Sequence, residues 1–146
     1  MTMIALILAI ILWALAALHV YWGVGGVWPG TDVRSCARAI AGFRGIEAMP
    51  SMQAASAVAA ALGFAGLLAF RLAGHGAGLL PANLALLGGT LAIVVFAGRG
   101  LAGYLPAWRR LTPEMPFARY DVRYYSPLCL VLGAGFAILT LQGATG

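Results

Sequence analysis

From Met3 to about Trp22 the chain runs for roughly 20 residues without a charged side chain, the length a helix needs to cross a hydrocarbon core about 30 Å thick. A backbone in lipid must satisfy its own N–H and C=O groups, so such a run folds as a helix through the membrane. The pattern recurs three times, and further spans are expected over residues 51–72, 79–104 and 127–142. The last, at about 16 residues and 1.5 Å each, reaches only about 24 Å and would need a thinned bilayer or a neighbouring helix. Ser126-Pro127 marks its expected start, because serine caps well and proline is tolerated in a first turn. The expectation is an all-α integral membrane four-helix bundle, a single domain over residues 1–146, with two longer cytoplasmic loops.

Composition closes off a soluble alternative. Hydrophobic residues make up 62% of the chain and charged residues 9%, with a mean hydropathy of +0.94. Soluble domains are about 25% charged, and a domain this small leaves too much surface exposed to hide the excess. No basic residue precedes the first run, so a retained helix is expected there in place of a signal peptide. All nine basic residues are arginine, beside 20 glycines, a composition that suits a high-GC bacterial genome.

The arginines also set an expected orientation. Arg34, Arg38 and Arg44 lie in the first loop, and Arg99, Arg109, Arg110, Arg119 and Arg123 at the end of the third span and in the second long loop. The hairpin side carries Arg71 alone. The positive-inside rule makes the eight-arginine side cytoplasmic and leaves both termini outside the bacterial inner membrane. Topology thus accounts for the net charge of +5 with the lipid bilayer as partner and no nucleic acid.

Within the loops, Thr31 or Asp32 can cap a short helix from Val33 to about Ala41. An interfacial helix with Val33, Cys36, Ala37 and Ile40 on one side and a plain solvated loop both fit. Pro106, Pro113 and Pro116 forbid one continuous helix through the second loop. Small residues at Ala55, Ala59, Gly63 and Gly66, at Gly88 and Gly89, and at Gly133 and Ala137 let helix backbones approach. Close helix packing is expected through the small-residue faces of the second and third spans, so that leucine at Gly63 or at Gly89 should lower the yield of folded protein, and the same faces offer a route to homo- or hetero-oligomers.

Candidate site residues gather near one membrane boundary. His19 is the only histidine within a span, and it shares a helical face with Trp22 and Gly23. Tyr21, Trp22 and Trp28 fit an interfacial aromatic belt. Arg99, Asp121 and Arg123 are the charges nearest the cytoplasmic boundary. Arg99 pairs with Asp121 if the second loop folds back, and otherwise snorkels to the headgroups, which is the expectation here. Tyr124 and Cys129 fall at the same depth. His19, Trp22, Arg99, Asp121 and Tyr124 are therefore expected to line one cytoplasm-facing pocket. The plainer reading of His19, a ring bonded to a neighbouring backbone carbonyl, stays open.

Several chemistries are disfavoured. Cys36 and Cys129 have neither metal-ligand spacing nor a CxxC pair, so no metal and no cofactor is expected. No Ser-His-Asp spacing or glycine-rich phosphate loop occurs. All four acidic residues, Asp32, Glu47, Glu114 and Asp121, fall in expected loops, which speaks against proton-coupled cation antiport. Two function classes remain. One is a binding or accessory protein that holds a lipid, quinone or sterol-like molecule between small-residue helices. The other is a small membrane enzyme acting on such a lipid, with His19 and Asp121 as acid–base groups and Arg99 or Arg123 holding an anionic group.

At His19-Val20-Tyr21-Trp22-Gly23-Val24-Gly25-Gly26 and at Phe117-Ala118-Arg119-Tyr120-Asp121-Val122-Arg123-Tyr124-Tyr125-Ser126-Pro127-Leu128-Cys129-Leu130, the chain resembles the small four-span bacterial membrane proteins of domain-of-unknown-function family 3995. The resemblance covers nearly the whole chain. It implies the four-span architecture and an arginine late in the third helix, matched here by Arg99. Family members typically carry an acidic residue four positions later, where this chain has Gly103. The resemblance implies no activity.

Overall fold

The computed structural model describes residues 2–76, 78 and 80–145, and every regular element among them is helical. In chain order these are α1 (Thr2–Gly23), α2 (Val33–Ile40), α3 (Met52–Leu72), α4 (Ala82–Ala102), α5 (Pro106–Leu111), α6 (Phe117–Tyr120), a π-helical turn (Asp121–Tyr125) and α7 (Ser126–Thr145). Four of the helical stretches are long and apolar enough to cross a membrane: α1, α3, α4 and the continuous stretch Phe117–Thr145. The expected start of the third span at Leu79 lies outside the described residues; α4 begins at Ala82, after Pro81 at its N-cap.

The second loop and the fourth span differ most from expectation. Ser126-Pro127 does not start a helix. The helix begins at Phe117 and runs through both residues. Pro127 cannot donate to the carbonyl four residues back, and its ring crowds that carbonyl in an α-helix. The wider π turn over Asp121–Tyr125, closed by the Ser126 N–H donating to the Asp121 carbonyl, absorbs this conflict without ending the helix. The 29-residue stretch removes the length deficit that residues 127–142 alone would have. It also places Asp121, Arg123 and Tyr124 on a helix and not in a loop.

Hydrophobic cohesion comes from two antiparallel pairs. α1 lies along α3 and α4 along α7, with lighter contact between the pairs. Leu8 and Leu12 of α1, Leu68, Ala69 and Leu72 of α3, Ala85 of α4, and Leu132, Phe136 and Leu139 of α7 form one buried core. Phe96 stacks on Phe136, ring centroids 5.8 Å apart. Large apolar residues outside the core, including Ile7, Ile10, Leu87, Leu91, Val94 and Val95, are exposed, as lipid-facing surfaces require.

The small-residue stripes bring helices together most closely in the α1–α3 and α4–α7 pairs, and the second and third spans also meet, since a Cβ on Gly88 or Gly89 of α4 would come 3.0 Å from Leu68 or Leu72 of α3. Ala55 and Ala59 are buried on α3, where the principal partner is α1. A Cβ on Gly66 would strike the Trp13 indole of α1, and one on Gly89 would strike Thr140 of α7. Gly63, expected on a packed face, opens onto free space.

Both long connections lie on one side and clasp each other. The Arg44 N–H donates to the Leu111 carbonyl at 3.1 Å and the Glu114 N–H to the Gly42 carbonyl at 3.2 Å. The Gly45 N–H donates to Glu114 Oε1 at 3.0 Å and the Tyr125 hydroxyl to the Ala39 carbonyl at 3.0 Å. Gly42, at a φ of +64°, has Phe117 packed where a Cβ would stand, so a side chain there is excluded twice over. Of the two readings of residues 33–41, the helix is realised. Asp32 Oδ1 accepts from the Ser35 N–H at 2.7 Å, and the Ser35 hydroxyl accepts from the Asp32 N–H at 3.0 Å. The Ser35 N–H, then its hydroxyl, hold the Asp32 carboxyl below its ordinary range. Cys36, Ala37 and Ala39 are buried beneath α2, whereas Val33 is exposed.

Candidate functional site

The polar centre of the clasp is Asp121, whose side chain is fully buried. Its position follows from the π turn. In an α-helix, residues five apart sit about 140° from one another. The wider winding instead sets Asp121 over Ser126, whose hydroxyl donates to Oδ1 at 3.1 Å. Arg99, in the last turn of α4, donates through Nη2 to Oδ1 at 2.7 Å. Pro106 at the start of α5 restarts the chain as a helix and brings in two more donors. Trp108 Nε1 donates to Oδ2 at 2.8 Å, and Arg109 Nη2 donates to the same oxygen at 2.7 Å.

Four donors thus converge on one carboxylate. A buried charge is tolerable when it is paired and its remaining lone pairs are satisfied, and Asp121 meets both conditions. The arginines are held in turn. Arg99 lies over the Trp108 ring at 4.8 Å. Arg109 also donates to the Ala118 carbonyl at 2.7 Å and to Thr112 Oγ1 at 3.2 Å. Thr112, fully buried, donates to the Trp108 carbonyl. The expectation that Arg99 snorkels is overturned, because its guanidinium turns inward to a carboxylate on the neighbouring helix. Gly103 makes this approach possible: a Cβ there would strike the Ser126 hydroxyl and come 3.3 Å from Asp121 Oδ2. The acidic position expected four residues after Arg99 is empty of charge, and Asp121 supplies the charge from another helix.

The single expected pocket divides into two places. His19 and Trp22 stand apart from Arg99 and Asp121, on the α1–α3 side. They line a cavity of about 150 Å³ together with Ile40, Ala41, Pro50, Ala54, Ala55 and Val58. His19 Nδ1 lies 2.8 Å from the Leu15 carbonyl. A carbonyl only accepts, so Nδ1 carries a proton, and in the uncharged form of the ring Nε2 is then an acceptor. Among the described residues Nε2 has no hydrogen-bond partner, and it is not among the buried unpartnered atoms. Trp22 packs edge-on to His19 at 5.1 Å and donates through Nε1 to the Trp28 carbonyl at 2.7 Å. That bond folds the glycine-rich turn back onto the end of α1. The Tyr21 hydroxyl accepts from the Trp28 N–H at 3.3 Å.

The other expected residues sit around these two places. Tyr124 is exposed beside Tyr120, and Arg123 lies over the Tyr124 ring at 5.8 Å. Cys129 is half-buried on α7. Burial pushes the Cys36 thiol up, away from the reactive thiolate. A wider groove of about 410 Å³ runs between α2 and Met115-Pro116, lined by Asp32, Arg34, Ser35 and Arg38. Its arginines already face Glu47 at 3.1 Å and Glu114 at 3.4 Å. Among the described residues no group of three metal-ligating side chains occurs.

Trp108, Arg109, Thr112 and the inward role of Ser126 were not legible as site residues. One signal was available: Pro106 is a good first helical residue, and a helix from there puts Trp108 and Thr112 on one face with Arg109 beside them.

A family model described as protein of unknown function (DUF3995) matches residues 12–136. No curated protein and no solved structure matches the chain.

Proposed function

Because this chain belongs to the DUF3995 family, whose function is unknown, its own residues must indicate a role, and we propose that it is a multipass inner-membrane protein binding an apolar, lipid-like molecule in the His19 cavity. The observation that carries this reading is the cavity itself. Seven of its eight lining residues have apolar or aromatic side chains, and His19 Nε2 is the side-chain polar atom there without a partner. Binding sites for small molecules have this make-up, an apolar wall with a few placed polar groups. It lies near the end of α1 and the start of α3, at the depth where lipid headgroups meet acyl chains. The enzyme alternative needed His19 and Asp121 to act on one substrate. Asp121 is instead committed to four donors, and the residues lining the His19 cavity do not include it.

Ala54 is exposed on the lipid side of the cavity, so Ala54→Trp should fill it at little cost to folding. Native mass spectrometry of the purified protein should find an apolar molecule on the unsubstituted chain and lose it in the variant. Equal retention by both proteins would sink the assignment.

The eight-to-one arginine split supports a cytoplasmic clasp, with both termini outside. A cysteine placed at Thr145 should react with an impermeant maleimide before the inner membrane is opened. Reaction only afterwards would invert the topology.

A further inference from the structure

We infer that the ligand of the His19 cavity is a neutral hydroxyl-bearing lipid, a sterol-like alcohol or a quinol, and not an anion or a quinone. The inference rests on the cavity being a binding site. It deepens that reading by reading the ligand's polarity from one ring.

Nδ1–H of His19 is spent on the Leu15 carbonyl at 2.8 Å, so the uncharged ring has a lone pair on Nε2 as its remaining capacity. The Trp22 indole N–H is spent on the Trp28 carbonyl at 2.7 Å. The other lining side chains belong to isoleucine, alanine, proline and valine, which neither donate nor accept. The side chains of the cavity therefore offer one acceptor and no free donor. A quinone or an ester presents only acceptors and would leave both itself and Nε2 unpaired on leaving water, which costs more than a hydrogen bond returns. A carboxylate or phosphate meets the same lack of donors, with the added cost of desolvating a charge. A hydroxyl satisfies Nε2 directly.

Size adds a second restriction. The volume of about 150 Å³ equals that of an engineered apolar cavity that admits benzene. The enclosed part of the ligand is therefore about one six-membered ring, with any longer chain leaving between Ala54 and Val58 toward lipid, since both are exposed.

Three ring-sized probes separate the alternatives: phenol, which donates; benzonitrile, which only accepts; and toluene, which does neither. Dissociation constants are measured by ligand-observed NMR on the full chain in one detergent, with partitioning into protein-free micelles subtracted. Phenol should bind roughly fivefold more tightly than toluene, the return on one neutral hydrogen bond, and benzonitrile no better than toluene. His19→Leu should reduce the phenol preference to none while toluene still binds. If phenol and toluene bind alike to the unsubstituted protein, the hydroxyl inference is wrong and the apolar cavity stands. If benzonitrile binds best, the cavity holds a free donor and the inference is reversed. If none of the three binds, or if Ala54→Trp binds them as well as the parent, the cavity reading itself fails.

Discussion

Asp121→Ala is expected to cost about 3–5 kcal/mol, the range for removing one partner of a buried ion pair, and to leave little monodisperse protein in detergent. The carboxylate is the common acceptor for Arg99, Trp108, Arg109 and Ser126. Without it, two guanidiniums are left side by side with no carboxylate between them. Their side chains are only 29% and 24% exposed, so water cannot fully replace the lost acceptor. Asp121→Asn keeps the volume and one accepting oxygen but removes the charge, and should fall between the alanine variant and the parent. Size-exclusion profiles and melting temperatures of the three proteins decide the matter. An alanine variant that melts with the parent would mean that the clasp contributes nothing to stability.

Leucine at Gly89 should be nearly as damaging, whereas leucine at Gly63 should be tolerated. At Gly89 the first added carbon already strikes the Thr140 hydroxyl and comes within 3.0 Å of Leu72. The rest of a leucine side chain would force α4 from α7. Overpacking of this kind costs about 1–3 kcal/mol or more, and in lipid no hydrophobic driving force draws the helices back together. At Gly63 nothing lies within reach of a new Cβ, and the change should stay within about 0.5 kcal/mol. Thermal unfolding of the two variants side by side is the measurement. Equal losses would mean that Gly63 is packed against another surface, such as a second copy of the chain.

The contrast between these glycines marks what was readable beforehand. Apolar run length gave the four spans, because the bilayer imposes that length whatever the residues do. Proline placement gave the breaks near 106, 113 and 116. Which small residue meets which helix was not readable, since a stripe identifies a face and not its partner. Pro127 misled for a related reason. It is as compatible with a π-relieved helix interior as with a first turn, and the choice is made by Asp121, whose four partners hold the preceding turn in helical form. The site divided for the same cause. His19 and Arg99 are expected at one depth from their places in their spans, but α1 pairs with α3 and α4 with α7, and depth carries no information about azimuth.

The Arg99–Asp121 pair also has a history in time. The two residues are 22 positions apart, and α4 leaves the ribosome first. At about 5–20 residues per second, the arginine waits roughly one to four seconds before its carboxylate is made, and Trp108 and Arg109 appear within that interval. Through that interval Arg99 has no Asp121 to face, and the inward pair can form only once the start of the final helix has been made. The last span to be made is therefore also the one that supplies the carboxylate that Arg99 of α4 faces.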